Sequence, residues 1–157
     1  MLRENVLIID NITTVLTDMH TGKTRTFATH NIPLNYQFIA LAKWVCGINN
    51  TGHNAVLPPT QIIYDSGSGT PAVTDTGPFT PIAGSQTKLS YATPNSPQNG
   101  TASLVFQTPA GVITTQVTGA YVEDVNSNGW GHAMYNTPFT PSSTETVTTT
   151  YEMTYNS

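Results

Sequence analysis

The stretch EDVNSNGWGH carries the oxygen-bearing side chains of a calcium-binding loop. Asp124, Asn126, Asn128 and Gly129 fall at positions one, three, five and six of such a loop. A calcium loop of this type also needs a bidentate acidic ligand at position twelve, where this chain has Tyr135. Asn-Gly between two segments of alternating polarity is instead a strong hairpin signal. The sequence therefore favours a tight turn, with a weak ion site at Asp124 and Asn126 as the alternative.

Two further acids, Asp65 and Asp75, bracket a glycine-rich segment. Paired carboxylates about 5 to 9 Å apart hydrolyse glycosidic bonds, so a hydrolase that uses these two residues is one hypothesis. Asp75 lies in Thr-Asp-Thr, however, which is typical of a side chain that caps its own turn. The glycine-rich segment lacks the Lys-Ser or Lys-Thr of a phosphate-binding loop, and the four histidines lack metal-ligand spacing. We therefore predict no catalytic residue, no cofactor and no metal site.

The charge content limits the partners of the chain. Asp, Glu, Lys and Arg make up 9% of the 157 residues, against about 25% in typical soluble domains. All five basic residues lie before residue 89, and the remainder carries only acids. A nucleic-acid-binding protein needs a basic patch, so this class is excluded. An uncharged polar surface suits contacts in a packed assembly, because little charge has to be desolvated.

Neither a membrane span nor a secretion signal is predicted. No apolar run approaches the roughly 18 to 20 residues that a transmembrane helix needs, and Asp10 interrupts the short apolar run near the start. Cys46 is the only cysteine, so the chain cannot form an intramolecular disulfide. A length of 157 residues is enough for a single domain with a hydrophobic core, and we predict one domain over residues 1–157.

Hydrophobic periodicity predicts a mainly β chain. A hairpin is expected over residues 5–29, and short strands with turn signals follow from Gln61 to the end, about eight strands in all. One amphipathic helix is predicted near residues 33–46, with Asn31 as its cap, Pro33 in its first turn and Leu34 and Phe38 on its buried face. Eight antiparallel strands with a single helix favour a jelly-roll-like β-sandwich, with a barrel as the other architecture of this type.

Aromatic residues suggest a second functional hypothesis. Trp130 and Tyr135 lie near Asp124, and a surface pair of aromatics beside an acid is typical of carbohydrate-binding modules. A repeated Pro-Phe-Thr-Pro motif also places Phe79 and Phe139 in similar surroundings. Each of these phenylalanines is a candidate for insertion into a groove.

The order of several motifs resembles that of small structural proteins of tailed bacteriophages. The similarity extends over nearly the whole chain, and the motifs are, in order, residues 15–18 with 21–23, residues 30–31 with 35, 39–40 and 47, the Gly-Thr-rich run at 67–76, residues 137–141, and the threonine-rich final strand. The resemblance implies a virion protein of the tail, neck or baseplate that binds copies of itself and neighbouring virion proteins. Its alternatives are a capsid decoration protein and a module that recognises a host glycan.

This reading assigns contact roles to a small group of residues in the glycine-rich loop, in the two Phe-Thr-Pro segments and at Trp130. The expected contact residues are Gly67, Gly69, Thr70, Pro71, Asp75, Phe79, Trp130 and Phe139. Pairing of exposed threonine-rich edge strands is a second expected mode of assembly.

Overall fold

Eight strands and one helix make up the residues that the computed structural model describes, 7–45, 57–93 and 101–156. The elements, in chain order, are β1 (Leu7–Asp18), β2 (Thr24–Pro33), α1 (Asn35–Val45), β3 (Gln61–Asp65), β4 (Thr87–Thr93), β5 (Thr101–Thr108), β6 (Val117–Glu123), β7 (Gly129–Phe139) and β8 (Glu145–Asn156). All the strand pairs are antiparallel, and they close into a barrel in the order β1-β2-β7-β6-β3-β4-β5-β8. Within the described residues, no helix is long and apolar enough to span a membrane.

The predictions of a mainly β chain and of a single helix are confirmed, but the β-sandwich is wrong. Two strands connect what would otherwise be separate sheets. β2 pairs with β1 over most of its length and with β7 through Ile32 and Pro33. β4 pairs with β3 through Thr87 and Lys88 and then with β5. Because strand alternation looks the same in a sandwich and a barrel, the sequence pattern does not distinguish the two.

Side chains hold β2 against β7 where the backbone ladder between them ends. The ring of Phe27 stacks on that of Phe139, with 4.4 Å between the ring centroids. The hydroxyl of Thr29 donates a hydrogen bond of 2.8 Å to the carbonyl of Met134. The described strands therefore close into a barrel, and unpaired backbone remains beside the short β2–β7 and β3–β4 ladders. The predicted assembly by edge-strand pairing is restricted to those stretches.

The barrel interior is filled by side chains, as expected for eight strands. Its apolar residues surround a chain of four hydroxyl groups, in which Thr14 contacts Tyr135 and Thr149, and Thr149 also contacts Tyr64. Burial raises the pKa of Tyr64 to about 12 even though Thr149 offers a hydrogen bond to its hydroxyl. These four buried hydroxyl groups are thus paired with one another, which limits the free energy cost of placing them in the core.

The helix begins slightly later than predicted and buries a different face. Asn31 and Pro33 belong to β2, and α1 begins at Asn35. Gln37 and Ala40 are buried, whereas Phe38 is 43% exposed. Asp10, on β1, accepts a hydrogen bond of 3.3 Å from the Gln37 amide. This buried polar contact fixes which face of α1 meets the barrel, and simple apolar periodicity does not detect it.

Candidate functional site

A buried histidine lies between the two acids that bracket the glycine-rich segment. His132, on β7, is fully buried, and its Nδ1 lies 2.7 Å from Oδ2 of Asp75. Because a carboxylate only accepts hydrogen bonds, Nδ1 of His132 is the donor. On the other side of the ring, Nε2 lies 3.4 Å from Oδ2 of Asp65, an electrostatic contact rather than a good hydrogen bond. The cluster thus connects the end of β3, the turn at Asp75 and the centre of β7.

The carboxylate of Asp65 organises the segment that follows β3. It accepts backbone N–H hydrogen bonds of 2.7 Å from Gly67, 2.6 Å from Phe79 and 2.7 Å from Thr80. Burial alone would raise the pKa of Asp65, but the nearby His132 ring and these three N–H groups lower it to about 2. The charged carboxylate therefore holds both ends of the loop formed by residues 66–81, which we call the Asp65 loop.

This geometry contradicts the hydrolase hypothesis for Asp65 and Asp75. Both oxygens of Asp65 accept hydrogen bonds from backbone N–H groups, and Asp75 closes its own turn by accepting from the N–H of Ala72 at 3.0 Å. His132 has no exposed surface. Asp65 and Asp75 do not form a pair of carboxylates that flanks a substrate bond, because their oxygens accept hydrogen bonds from the backbone and from His132.

The predicted contact residues of the Asp65 loop lie at or near the surface. Gly69 and Thr70 are exposed, and Gly67 and Pro71 are half-buried. Phe79 remains 37% exposed although its ring lies 4.6 Å from that of His132. A Cβ atom added at Gly69 would come within 2.7 Å of the Phe79 ring. Phe79 therefore does insert into a groove, but the groove belongs to its own chain.

Trp130, Tyr135 and Phe139 do not have the surface positions that the contact and carbohydrate hypotheses require. Trp130 is 1% exposed and packs edge-on against Tyr36. The hydroxyl of Tyr135 is bonded inside the barrel to Thr14, and Phe139 packs against Phe27. The expectation of a surface pair of Trp130 and Tyr135 is wrong, because apolar burial and the internal hydroxyl network place these rings in the core. Phe139 is buried as well, and its contact role stays a prediction.

The segment with the calcium-loop pattern is a hairpin turn between β6 and β7, as predicted. Oδ1 of Asp124 accepts the N–H groups of Asn126 and Asn128, and Oδ2 accepts the Asn128 side-chain amide. The residue with positive φ is Ser127, at 62°, and not the Asn-Gly pair that the turn signal suggested. Asp124 thus uses its carboxylate to shape the turn. Among the described residues, no group of three or more His, Cys, Asp or Glu side chains is arranged to hold a metal ion.

A broad face of the barrel carries almost no charge. It consists of the outward side chains of four neighbouring strands, at even positions 24–30 of β2, odd positions 11–17 of β1, even positions 146–154 of β8 and odd positions 101–107 of β5. These residues alternate with buried or half-buried ones, except at Arg25, which is exposed. We call it the threonine face, since nine of its residues are Thr13, Thr17, Thr24, Thr26, Thr101, Thr146, Thr148, Thr150 and Thr154. Strand register aligns them in rows, with Thr13 beside Thr150 and Thr150 beside Val105. Glu152 is the only carboxylate on this face, which has no Lys or Arg.

His132 and the threonine face have different signals in the sequence. Nothing local points to His132, because both of its acidic partners lie far earlier in the chain. The threonine face does have a signal, since threonine occupies positions 146, 148, 150 and 154 of β8, opposite the buried residues. The strand order that extends this face over four strands is not readable from periodicity. Compared with models of known protein families, with curated proteins and with solved structures, the chain matches none of them.

Proposed function

We propose that this protein is a structural component of a tailed-bacteriophage virion, which associates with copies of itself and with a neighbouring tail, neck or baseplate protein. The observation that supports the proposal most directly is the near absence of charge on the threonine face. Burying threonine hydroxyl and methyl groups requires little desolvation of charge, in contrast to burying Lys or Glu. The motif order of the sequence, described above, supports the choice of a phage particle as the assembly.

Contacts between faces replace edge pairing as the mode of association. The threonine face spans four strands and covers on the order of 500 Å² at ordinary strand spacings. A standard stable interface buries about 800 Å² on each partner, so the face alone gives a weak dimer. Met19, which follows β1 at the end of this face, is 68% exposed and adds apolar area. Weak contacts of this size become stable when many copies are held side by side in a particle.

Self-association is tested by placing a charge at the centre of the threonine face. Thr150→Lys puts an ammonium group where a second copy would pack, and we expect about tenfold weaker association, equivalent to about 1.4 kcal/mol. Analytical ultracentrifugation of the full chain over a range of concentrations gives the constant. Thr114→Lys is the matched control, because Thr114 is exposed outside the strands and away from the face. A wild-type chain that stays monomeric at every concentration would contradict the proposed mode of contact.

Location in the particle is tested separately. Particles of a phage that encodes the chain are purified, analysed by mass spectrometry and labelled with gold-conjugated antibodies against the protein. Label on the tail, neck or baseplate is the expected result. Label distributed over the head would instead support the alternative of a capsid decoration protein, and absence of the chain from the particle would refute a virion role.

A further inference from the structure

A cleft of about 260 Å³ opens where three segments meet: residues 34–36 at the start of α1, residues 73–76 of the Asp65 loop, and residues 127–129 of the β6–β7 turn. We propose that this cleft binds a single neutral sugar residue. Pockets for drug-sized ligands measure about 300 to 1,000 Å³, so a cleft of this volume fits one small ring. It shares no residue with the threonine face, and the proposal is independent of assembly.

All three walls of the cleft are fixed by hydrogen bonds that exist without a ligand. The N–H of Leu34 donates to the carbonyl of Trp130 at 3.0 Å, and the N–H of Asn35 donates to that of Val73 at 2.9 Å. Asp75 closes its turn and is held by His132, as described above. Asp124 orders the third wall through the backbone and side chain of Asn128. A ligand therefore does not have to order a loop in order to bind, which favours binding of a small molecule.

The polar groups of the cleft are mostly uncharged and both donate and accept. Asn35, Thr74, Thr76 and Asn128 contribute amide and hydroxyl groups to its lining. Asp75 contributes a carboxylate, of which Oδ2 already accepts bonds from Ala72 and His132, while no described residue donates to Oδ1. This mixture matches the hydroxyl groups of a sugar, each of which donates and accepts. Val73 and the ring of Tyr36 provide apolar surface for the C–H side of the ring.

Charge decides between a neutral sugar and charged ligands of similar size. The lining contains no Lys, Arg or His, so an acidic sugar or a phosphate would meet the carboxylate of Asp75 without a compensating cation. An amine would pair with Asp75, but an ammonium group only donates, and it would offer no acceptor to the amide N–H groups of Asn35.

A second observation points to the same place. The hydroxyl of Tyr121 is buried and has no hydrogen-bond partner among the described residues. It lies directly behind Gly129, where an added Cβ atom would collide with it. A buried hydroxyl without a partner is uncommon in folded proteins and calls for an explanation. Because Gly129 lines the cleft, the cleft wall lies against a polar group that the described residues leave without a partner.

The test is saturation-transfer NMR on the full chain with the methyl glycosides of glucose, galactose, mannose and N-acetylglucosamine. At least one should receive saturation from the protein at millimolar concentration. Asp75→Asn removes the carboxylate, and Thr74→Phe fills the cleft from an exposed position without touching the His132 cluster. Each variant should bind about tenfold more weakly or not at all, since each removes or blocks a polar partner. Asn136→Ala, at an exposed site on β7 outside the cleft, should bind like the wild type.

Three outcomes would overturn the proposal. One is the absence of saturation transfer to every neutral glycoside at tens of millimolar. Another is unchanged binding by the Thr74→Phe variant with its fold intact, since this would place the sugar elsewhere. The third is binding only of sialic acid or of methylammonium, which are included as charged probes of similar size. None of these outcomes alters the ultracentrifugation result for Thr150→Lys, so the two proposals fail separately.

Discussion

Two buried aspartates show how the surroundings of one side chain reverse its effect on stability. Asp65 accepts three backbone N–H groups beside His132, and its pKa falls to about 2. Asp10 is also buried, and desolvation raises its pKa although Tyr151, Gln37 and Asn31 donate to it. The charged form of Asp65 thus stabilises the fold, whereas the charged form of Asp10 is disfavoured by its site.

Removing the charge of Asp65 should change how stability depends on pH. Because the folded pKa lies below the ordinary value of 3.8, its stabilisation is present above about pH 4 and is lost as the pH falls through 2. This contribution is about 2 kcal/mol. We expect Asp65→Asn to lower the free energy of unfolding by at least this amount at pH 7 and to flatten its decline between pH 5 and 2. Urea unfolding followed by tryptophan fluorescence measures both, and parallel pH profiles of the two proteins would contradict the assignment.

At the scale of elements, the Asp65 loop depends on a strand that is distant in the sequence. His132 is hydrogen-bonded to Asp75 and packs against Asp65, with Nε2 3.4 Å from its carboxylate. The amides of Gly67, Phe79 and Thr80 all donate to Asp65 and are protected while it stays in place. We expect His132→Ala to increase hydrogen exchange at these three amides at least about tenfold, because local opening of the loop becomes easier. His30→Ala is the matched control, since His30 is exposed and, within the part of the chain that the structure describes, its ring bonds only to Asn11. Equal exchange in both variants would show that the loop does not need the histidine.

Local sequence patterns predict where the strands and the helix lie better than they predict which elements contact each other. The period-two pattern of the last strand predicts that Val147, Thr149, Tyr151, Met153 and Tyr155 share one face, and the structure buries the first four of them. The helix is also confirmed, but its buried face is not, because Gln37 rather than Phe38 turns inward to reach Asp10. The contacts that decide the architecture and the candidate sites join residues more than 50 positions apart, such as His132 and Asp75, and no local periodicity encodes them.

At the scale of the whole molecule, the strands close into a barrel, so the proposed association uses outward side chains rather than backbone hydrogen bonds. Since the threonine face carries one carboxylate and no Lys or Arg, its self-association should change less than about threefold between roughly 0.05 and 0.5 M NaCl. Ultracentrifugation at several salt concentrations measures this. A steep weakening with salt would instead identify an interface that contains ion pairs, for which Arg25 and Glu145 are candidates.

The pairing of β1 with β8 has a consequence for engineering. The register sets Leu7 opposite Asn156, so the first and last strands finish side by side at the same rim. A short linker between those ends, with a new opening at the exposed bend near Gly111, would rearrange the linear order of the strands while keeping every neighbour in the barrel. The new ends of such a permuted chain would lie just after β5, at the rim opposite Leu7 and Asn156. A fluorescent tag attached there would report on contacts at that rim, which tags on the original ends do not reach.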